Sequence, residues 1–150
     1  MTAYPDTSFL CALYRQQSNS REAAAHFKAM TEALHVTSLL LYEFRQSLRL
    51  QVWLHAQDPR KGFPKGSCDQ ALADLQSDLD SGVVVIVPAD WADVHRTAER
   101  LSSARTKAGG RRALDILHVA TALHLGAQEL LSFDDCQRQL ATAEGLKVQP

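Results

Sequence analysis

The chain has 150 residues, 45% hydrophobic and 22% charged, with 7 Gly and 5 Pro. This is a globular composition, and a chain of this length buries roughly two-thirds of its unfolded surface without disulfide or zinc staples. The stapled mini-protein class is excluded. Sixteen basic against seventeen acidic residues leave a formal charge of -1, so the total says nothing about partners. Cys11, Cys68 and Cys136 are odd in number, far apart and form no C-x-x-C pair, which points to a reducing compartment. The start, Met1-Thr2-Ala3-Tyr4-Pro5-Asp6, has no basic segment leading into an apolar one, and the aliphatic runs Leu39-Leu40-Leu41 and Val83 to Val87 are too short to span a bilayer. The cytoplasm is the expected location.

Short β-like segments alternate with longer helical patterns, which predicts one α/β domain over 1-150 with a mainly parallel sheet. A first strand is expected at about Thr2 to Pro5, and Asp6-Thr7-Ser8 launches a helix through Leu13 and Tyr14. Asn19, three residues before Glu22, reads as a capping box for a helix to about Met30. His35-Val36-Thr37 reads as a strand, and Ser38 as the cap of a helix from Leu39 to about Leu54 with apolar Leu41, Phe44, Leu48 and Val52. Gln57 to Gly66, with Pro59, Gly62 and Pro64, is the clearest loop. Ser67 and Gln70 form a second capping box for a helix to about Asp80, and Val83 to Val87 reads as a strand buried on both faces. Asp90 caps a helix to about Ser103, and Ala104 to Arg112 reads as a basic loop containing Gly109-Gly110. The most apolar helix follows, about Ala113 to Leu125. Leu130 to Phe133 reads as a fourth strand, Asp134 as the cap of a last helix, and Leu146 to Val148 as a terminal strand.

Four acids fall at comparable places: Asp6 after the first strand, Glu43 in the helix after the second, Asp115 early in the apolar helix, and Asp134 after the fourth strand. In parallel α/β sheets, ligand sites form at the edge where strands end. Carboxylates converging there raise one another's pKa, and divalent cations relieve the repulsion. All-oxygen ligands suit Mg²⁺ or Mn²⁺, which activate water and stabilise a leaving oxygen in phosphodiester hydrolysis. Each acid also has a plainer reading. Asp6 and Asp134 serve as N-caps, and Glu43 pairs locally with Arg45 or Gln46. Asp115 stands among Leu114, Ile116, Leu117 and Val119 on a helix expected to be buried, where a carboxylate needs partners, and its plainer reading is capping in the first turn.

At these residues the sequence resembles the PIN-domain nucleases, especially the VapC-type ribonuclease toxins of toxin–antitoxin pairs. The resemblance rests on Asp6-Thr7-Ser8-Phe9-Leu10, on Thr37-Ser38-Leu39-Leu40-Leu41-Tyr42-Glu43-Phe44-Arg45, on Asp115-Ile116-Leu117-His118-Val119-Ala120-Thr121-Ala122-Leu123, and on Leu131-Ser132-Phe133-Asp134. It implies a three-layer α/β/α sandwich and Mg²⁺- or Mn²⁺-dependent RNA cleavage. Asp6 and Asp115 would be the principal metal ligands, with Glu43 holding metal or orienting the attacking water. Asp134 would act through water or on a second ion, unless the adjacent Asp135 takes its place, and Ser8 and Ser132 match hydroxyl positions beside the acids. The resemblance also implies a homodimer and a separate small antitoxin that blocks the acidic pocket. One departure is Pro5, where relatives carry an aliphatic residue. Proline cannot donate to a ladder, so either it lies past the last ladder bond or the strand ends early and shifts Asp6.

RNA needs counter-charge. Arg96, Arg100, Arg105, Lys107, Arg111 and Arg112 stand against Glu99 alone, and Arg45, Arg49, Arg60, Lys61 and Lys65 against Asp58. Arg105, Lys107, Arg111 and Arg112 are the candidate substrate contacts. His118, one turn after Asp115, reads as a packed histidine making one hydrogen bond. Trp53, Trp91, Phe27, Phe44 and Tyr14 read as core or subunit-interface residues. Other α/β readings lack their motifs: there is no G-x-G-x-x-G or G-K-[ST] after Pro5, Ser8 stands where a haloacid-dehalogenase-like phosphatase needs a second Asp, and Val83 to Val87 ends in Pro88 rather than a receiver domain's Asp. The competing class is a non-catalytic PIN-like domain that binds RNA or protein.

Overall fold

The computed structural model describes all 150 residues. In chain order the elements are β1 (Ala3–Pro5), α1 (Thr7–Tyr14), α2 (Ser20–Ala29), β2 (Leu34–Val36), α3 (Ser38–Gln57), α4 (Lys65–Ser81), β3 (Val84–Ile86), α5 (Trp91–Gly109), α6 (Ala113–His124), β4 (Glu129–Leu131), α7 (Asp135–Ala143) and β5 (Lys147–Gln149). Every strand pairing is parallel. β4 lies between β1 and β5, and β2 pairs with β3. β2 also stands alongside β1, giving the spatial order β3-β2-β1-β4-β5. The helices pack among themselves in two groups, α1 to α4 and α5 to α7. This is the expected α/β/α arrangement around a short parallel sheet, and no helix is long and apolar enough to cross a membrane.

Pro5 explains why β1 and β2 adjoin without a hydrogen-bonded ladder. Pro5 is in register with Leu131, and the next residue continues the β1–β4 ladder, Asp6 N–H donating to Leu131 O at 2.9 Å. Successive residues of a strand turn their backbone groups to opposite sides, so the nitrogen of Pro5 faces β2, where its missing N–H removes a ladder bond. Neither expected outcome holds. The strand does not end early, Pro5 lies within it, and Asp6 stays in register.

Other differences have local causes. The aliphatic run at 83–87 is not buried on both faces: only Val84 is, while Val83, Val85 and Ile86 are 43%, 36% and 53% exposed. The strand is at the sheet edge, paired with β2 alone, so an aliphatic run does not imply cover on both sides. α5 continues past Ser103 to Gly109 and stops where Gly110 adopts a left-handed φ of 61°. Ala104, Arg105, Lys107 and Ala108 favour helix and only glycine at the C-terminus ends it, so Arg105 and Lys107 are helical rather than on a loop. α4 starts at Lys65 behind Pro64, and Ser67 N–H bonds the Pro64 carbonyl, so the Ser67 capping box does not form. The Asn19 side chain caps nothing, its buried Oδ1 having no partner. Thr37, not Ser38, caps α3. Asp6, Asp90 and Asp134 cap as expected.

Candidate active site

The carboxyl ends of β1 and β4 are neighbours, and their pairing fixes the centre of the site. Asp6 directly follows β1 and Ser132 directly follows β4, so the two side chains meet across the ladder. Asp6 is fully buried. Its Oδ1 accepts from Ser8 Oγ at 2.6 Å and Phe9 N–H at 2.9 Å, and its Oδ2 from Ser132 Oγ at 2.5 Å. The two serines are themselves braced, Ser8 Oγ accepting from Phe133 N–H at 2.8 Å and Ser132 Oγ from Asp134 N–H at 3.0 Å. Burial pushes the Asp6 carboxyl above the usual aspartate range, against the pull of the Ser132, Ser8 and Phe9 donors. Three donors occupy three of about four acceptor positions on a carboxylate, leaving one lone pair on Oδ2.

Asp134 caps α7 by accepting from Gln137 N–H at 2.9 Å. Gln137 is buried, and its Nε2 donates to Asp115 Oδ1 at 3.3 Å while its Oε1 has no partner. Asp6, Ser132, Asp134, Gln137 and Asp115 thus form one connected chain. Asp135 is exposed in the first turn of α7, so of the two adjacent acids only Asp134 joins it. Asp115 is half-buried on α6. Burial raises its carboxyl first, then the charges of Asp134 and Glu43 raise it further, against lowering by Arg112 and His118.

Glu43, on the second turn of α3, belongs to a second cluster. Its Oε2 receives both Thr7 Oγ1 and His118 Nε2, the latter at 2.5 Å. Burial pushes the Glu43 carboxyl up, but His118, by hydrogen bond and charge, and Thr7 outweigh it and hold the group below the ordinary glutamate range. His118 is fully buried, and its Nε2 lies 2.5 Å from Glu43 Oε2 and 3.4 Å from Thr7 Oγ1, so the packed histidine expected from the sequence bonds to one of the four acids. Thr7, His118 and Gln137 were not among the expected site residues. Their signals were weak but present: Thr7 adjoins Asp6, and His118 and Gln137 each stand three residues after an acid, on the same helix face.

The acids do not close into a ready-made cage of three His, Cys, Asp or Glu donors. The donor chemistry nevertheless suits a hard divalent cation, which keeps several waters and takes few carboxylates. Excess negative charge at Asp115, a free lone pair on Asp6 Oδ2 and an unpartnered Gln137 Oε1 all stand on this edge.

The four candidate substrate contacts divide. Arg105 is paired with Glu144 at 3.1 Å, alongside Arg100 at 2.9 Å, and Arg111 donates to the Cys136 carbonyl at 2.7 Å. Both are tied to α7 and its end. Lys107 is exposed without an ion pair, and Arg112 is exposed at the N-cap of α6, where its charge reaches Asp115. Among the aromatics, Phe44 is core, packed against Tyr14 at 5.7 Å between ring centres, whereas Trp53 is 58% exposed and not core.

Comparison with curated protein sequences finds no match. Among solved structures, the chain is similar to VapC20 of Mycobacterium tuberculosis, described as a toxin that cleaves the sarcin-ricin loop. The identity is 18%, with 99% of this chain and 100% of that chain covered and a TM-score of 0.66. It is also similar to VapBC2 of Rickettsia felis, solved with a DNA fragment from its promoter (12% identity, 99% and 98% covered, TM-score 0.68). A third is FitAcB of Neisseria gonorrhoeae (16% identity, 99% and 97% covered, TM-score 0.64). The family model of the PIN domain matches residues 3–143. With that match spanning nearly the whole chain, and a parallel sheet that delivers Asp6 and Asp134 to one edge beside Asp115 and Glu43, the protein belongs to the PIN-domain family.

Proposed function

We propose that the protein is a single-domain, Mg²⁺- or Mn²⁺-dependent endoribonuclease, the toxin of a toxin–antitoxin pair, acting through Asp6, Glu43, Asp115 and Asp134. The observation that carries this reading is the meeting of Asp6, Asp134 and Asp115 through Ser132 and Gln137 at one strand edge, where burial and the like charges of Asp134 and Glu43 hold Asp115 above its ordinary range. A folded protein keeps such a strained set where a cation relieves it. Asp6 and Asp115 would hold the ion, with Asp134 and Glu43 close by. When bound, a divalent cation supplies charge neutralisation at the phosphate and a more acidic water.

The chain's own groups supply the rest. Ser8 and Ser132 fix the plane of the Asp6 carboxylate, and Gln137 fixes Asp115. Glu43, held below its ordinary range by His118 and Thr7, would help hold the metal or orient the attacking water. Arg112, exposed and with its charge reaching Asp115, is the cation beside the site suited to the RNA phosphates, and Lys107 is a second exposed candidate, whereas Arg105 and Arg111 act chiefly as ties to α7. The similarity to VapC20 and to the VapBC and FitAB structures supports pairing with a separate antitoxin; an antitoxin that covers the acidic edge, a homodimer and a cytoplasmic site of action belong to the same proposal.

The test is cleavage of RNA by purified protein in Mg²⁺ or Mn²⁺, comparing wild type with Asp6→Asn and Asp115→Asn. Wild-type cleavage that both variants abolish is the expected result. Equal activity in all three overturns the assignment, and RNA binding without cleavage by wild type makes the protein a non-catalytic binding module instead. A short upstream reading frame encoding a DNA-binding fold with a tail would support the antitoxin pairing.

A further inference from the structure

Three elements meet at Glu43: α1 contributes Thr7, α3 the glutamate, and α6 His118. Both side-chain donors converge on the same oxygen, Oε2, while Oε1 receives no hydrogen bond from the protein. His118 is fully buried, and its Nδ1 is buried too and has no partner. An ionised carboxylate oxygen only accepts a hydrogen bond, and Glu43 Oε2 faces Nε2. The proton therefore belongs on Nε2, the atom facing Glu43. The imidazole ring is held from behind by Tyr4, tilted at 36° with 6.4 Å between ring centres, and Tyr4 is itself fixed by a hydrogen bond of 2.9 Å between its hydroxyl and Thr37 Oγ1.

We propose that Thr7 and His118 form a two-donor clamp that fixes the Glu43 carboxylate through Oε2 and presents Oε1 alone to the reacting water. The proposal rests on the nuclease reading for its consequence and on the geometry for its existence. His118 and Thr7 are positioning residues: neither touches the substrate, and each acts by denying Glu43 its other rotamers. A freely rotating glutamate would present either oxygen in many orientations and lose most of the effective concentration that a fixed one has. Oriented outer-shell partners of this kind typically contribute about 10- to 100-fold to affinity or activity.

The experiment compares wild type, His118→Leu, His118→Gln and Thr7→Val in Mn²⁺-dependent cleavage of a labelled RNA oligonucleotide, with circular dichroism on each. Long-range ¹⁵N–¹H correlation of the wild-type ring reports its tautomer without any turnover. The expected result is a kcat loss of about 10-fold or more in His118→Leu with KM within about 2-fold. His118→Gln, which keeps a terminal N–H, should recover most of that loss, and Thr7→Val should fall between. The ring nitrogens should show Nε2 protonated and Nδ1 bare. A folded His118→Leu with wild-type kcat, a His118→Gln no better than His118→Leu, or a bare Nε2 overturns the clamp. Should His118→Leu fail to fold, Thr7→Val and His118→Gln decide by the same criteria. If the wild type cleaves no RNA, the nuclease reading falls, while the tautomer still decides whether the clamp exists.

Discussion

Ser132 is the most informative single residue to remove. It is fully buried, donates to Asp6 Oδ2 at 2.5 Å and accepts from Asp134 N–H at 3.0 Å, so Ser132→Ala strips one donor from a buried carboxylate and one acceptor from a helix cap. A hydrogen bond to a charged group contributes about 1.5–3 kcal/mol and a neutral one about 1 kcal/mol. The expected cost is therefore about 3 kcal/mol, which in a domain of this size lowers Tm by about 6–12 °C. The loss should also depend on pH. Burial already raises Asp6 in the folded state, and Ser132 works against that rise, so the variant's Asp6 lies higher still. An acid whose folded pKa exceeds its unfolded value loses stability as pH rises between the two. The variant should therefore trail the wild type least in acid, where Asp6 is protonated in both, and most at neutral pH and above. Urea denaturation followed by circular dichroism at pH 5 and pH 8 measures this. A deficit below about 0.5 kcal/mol at pH 8, the range of ordinary surface substitutions, or a larger deficit at pH 5, would refute the account of the Asp6 cradle.

Three further outcomes are expected. Asp115→Asn removes a carboxylate crowded by burial, Asp134 and Glu43, so the metal-free variant should be no less stable than wild type. In thermal denaturation with Mn²⁺ at 100 times its Kd, wild type should gain about 2.7 kcal/mol and the variant far less; equal gains would remove Asp115 from the metal site. Pro5→Val returns an N–H on the side facing β2. One added hydrogen bond of about 1 kcal/mol offsets the loss of proline's restraint on the unfolded chain, so stability should change by under about 1 kcal/mol, while hydrogen exchange should show the new amide protected. An unprotected amide would refute the assignment of the missing ladder bond. Arg112→Ala should weaken RNA binding and reduce its salt dependence by about one phosphate contact, whereas Arg105→Ala should leave binding nearly unchanged and weaken the tie to Glu144, as filter binding and denaturation would show.

The alternation of short strands and helices was enough to place the α/β class, and the four blocks around Asp6, Glu43, Asp115 and Asp134 carried the resemblance that the PIN-domain match bears out. Those signals are local: caps, periodicity and order along the chain. The caps at Asp6, Asp90 and Asp134 formed because an aspartate before a helix meets the free amides wherever that helix lies. What the sequence could not carry depended on neighbours distant along it. The run at 83–87 was aliphatic enough for an interior strand, but its edge position left Val85 and Ile86 in solvent. The basic stretch from Arg105 to Arg112 looked uniform, yet packing against α7 tied down Arg105 and Arg111 and left Lys107 and Arg112 free. Pro5 threatened Asp6 until the register with Leu131 turned its missing donor toward β2. His118 and Thr7 met at Glu43 only because α1, α3 and α6 converge there. A residue's type and spacing determine what it can bond, and the tertiary fold decides which partner comes within reach.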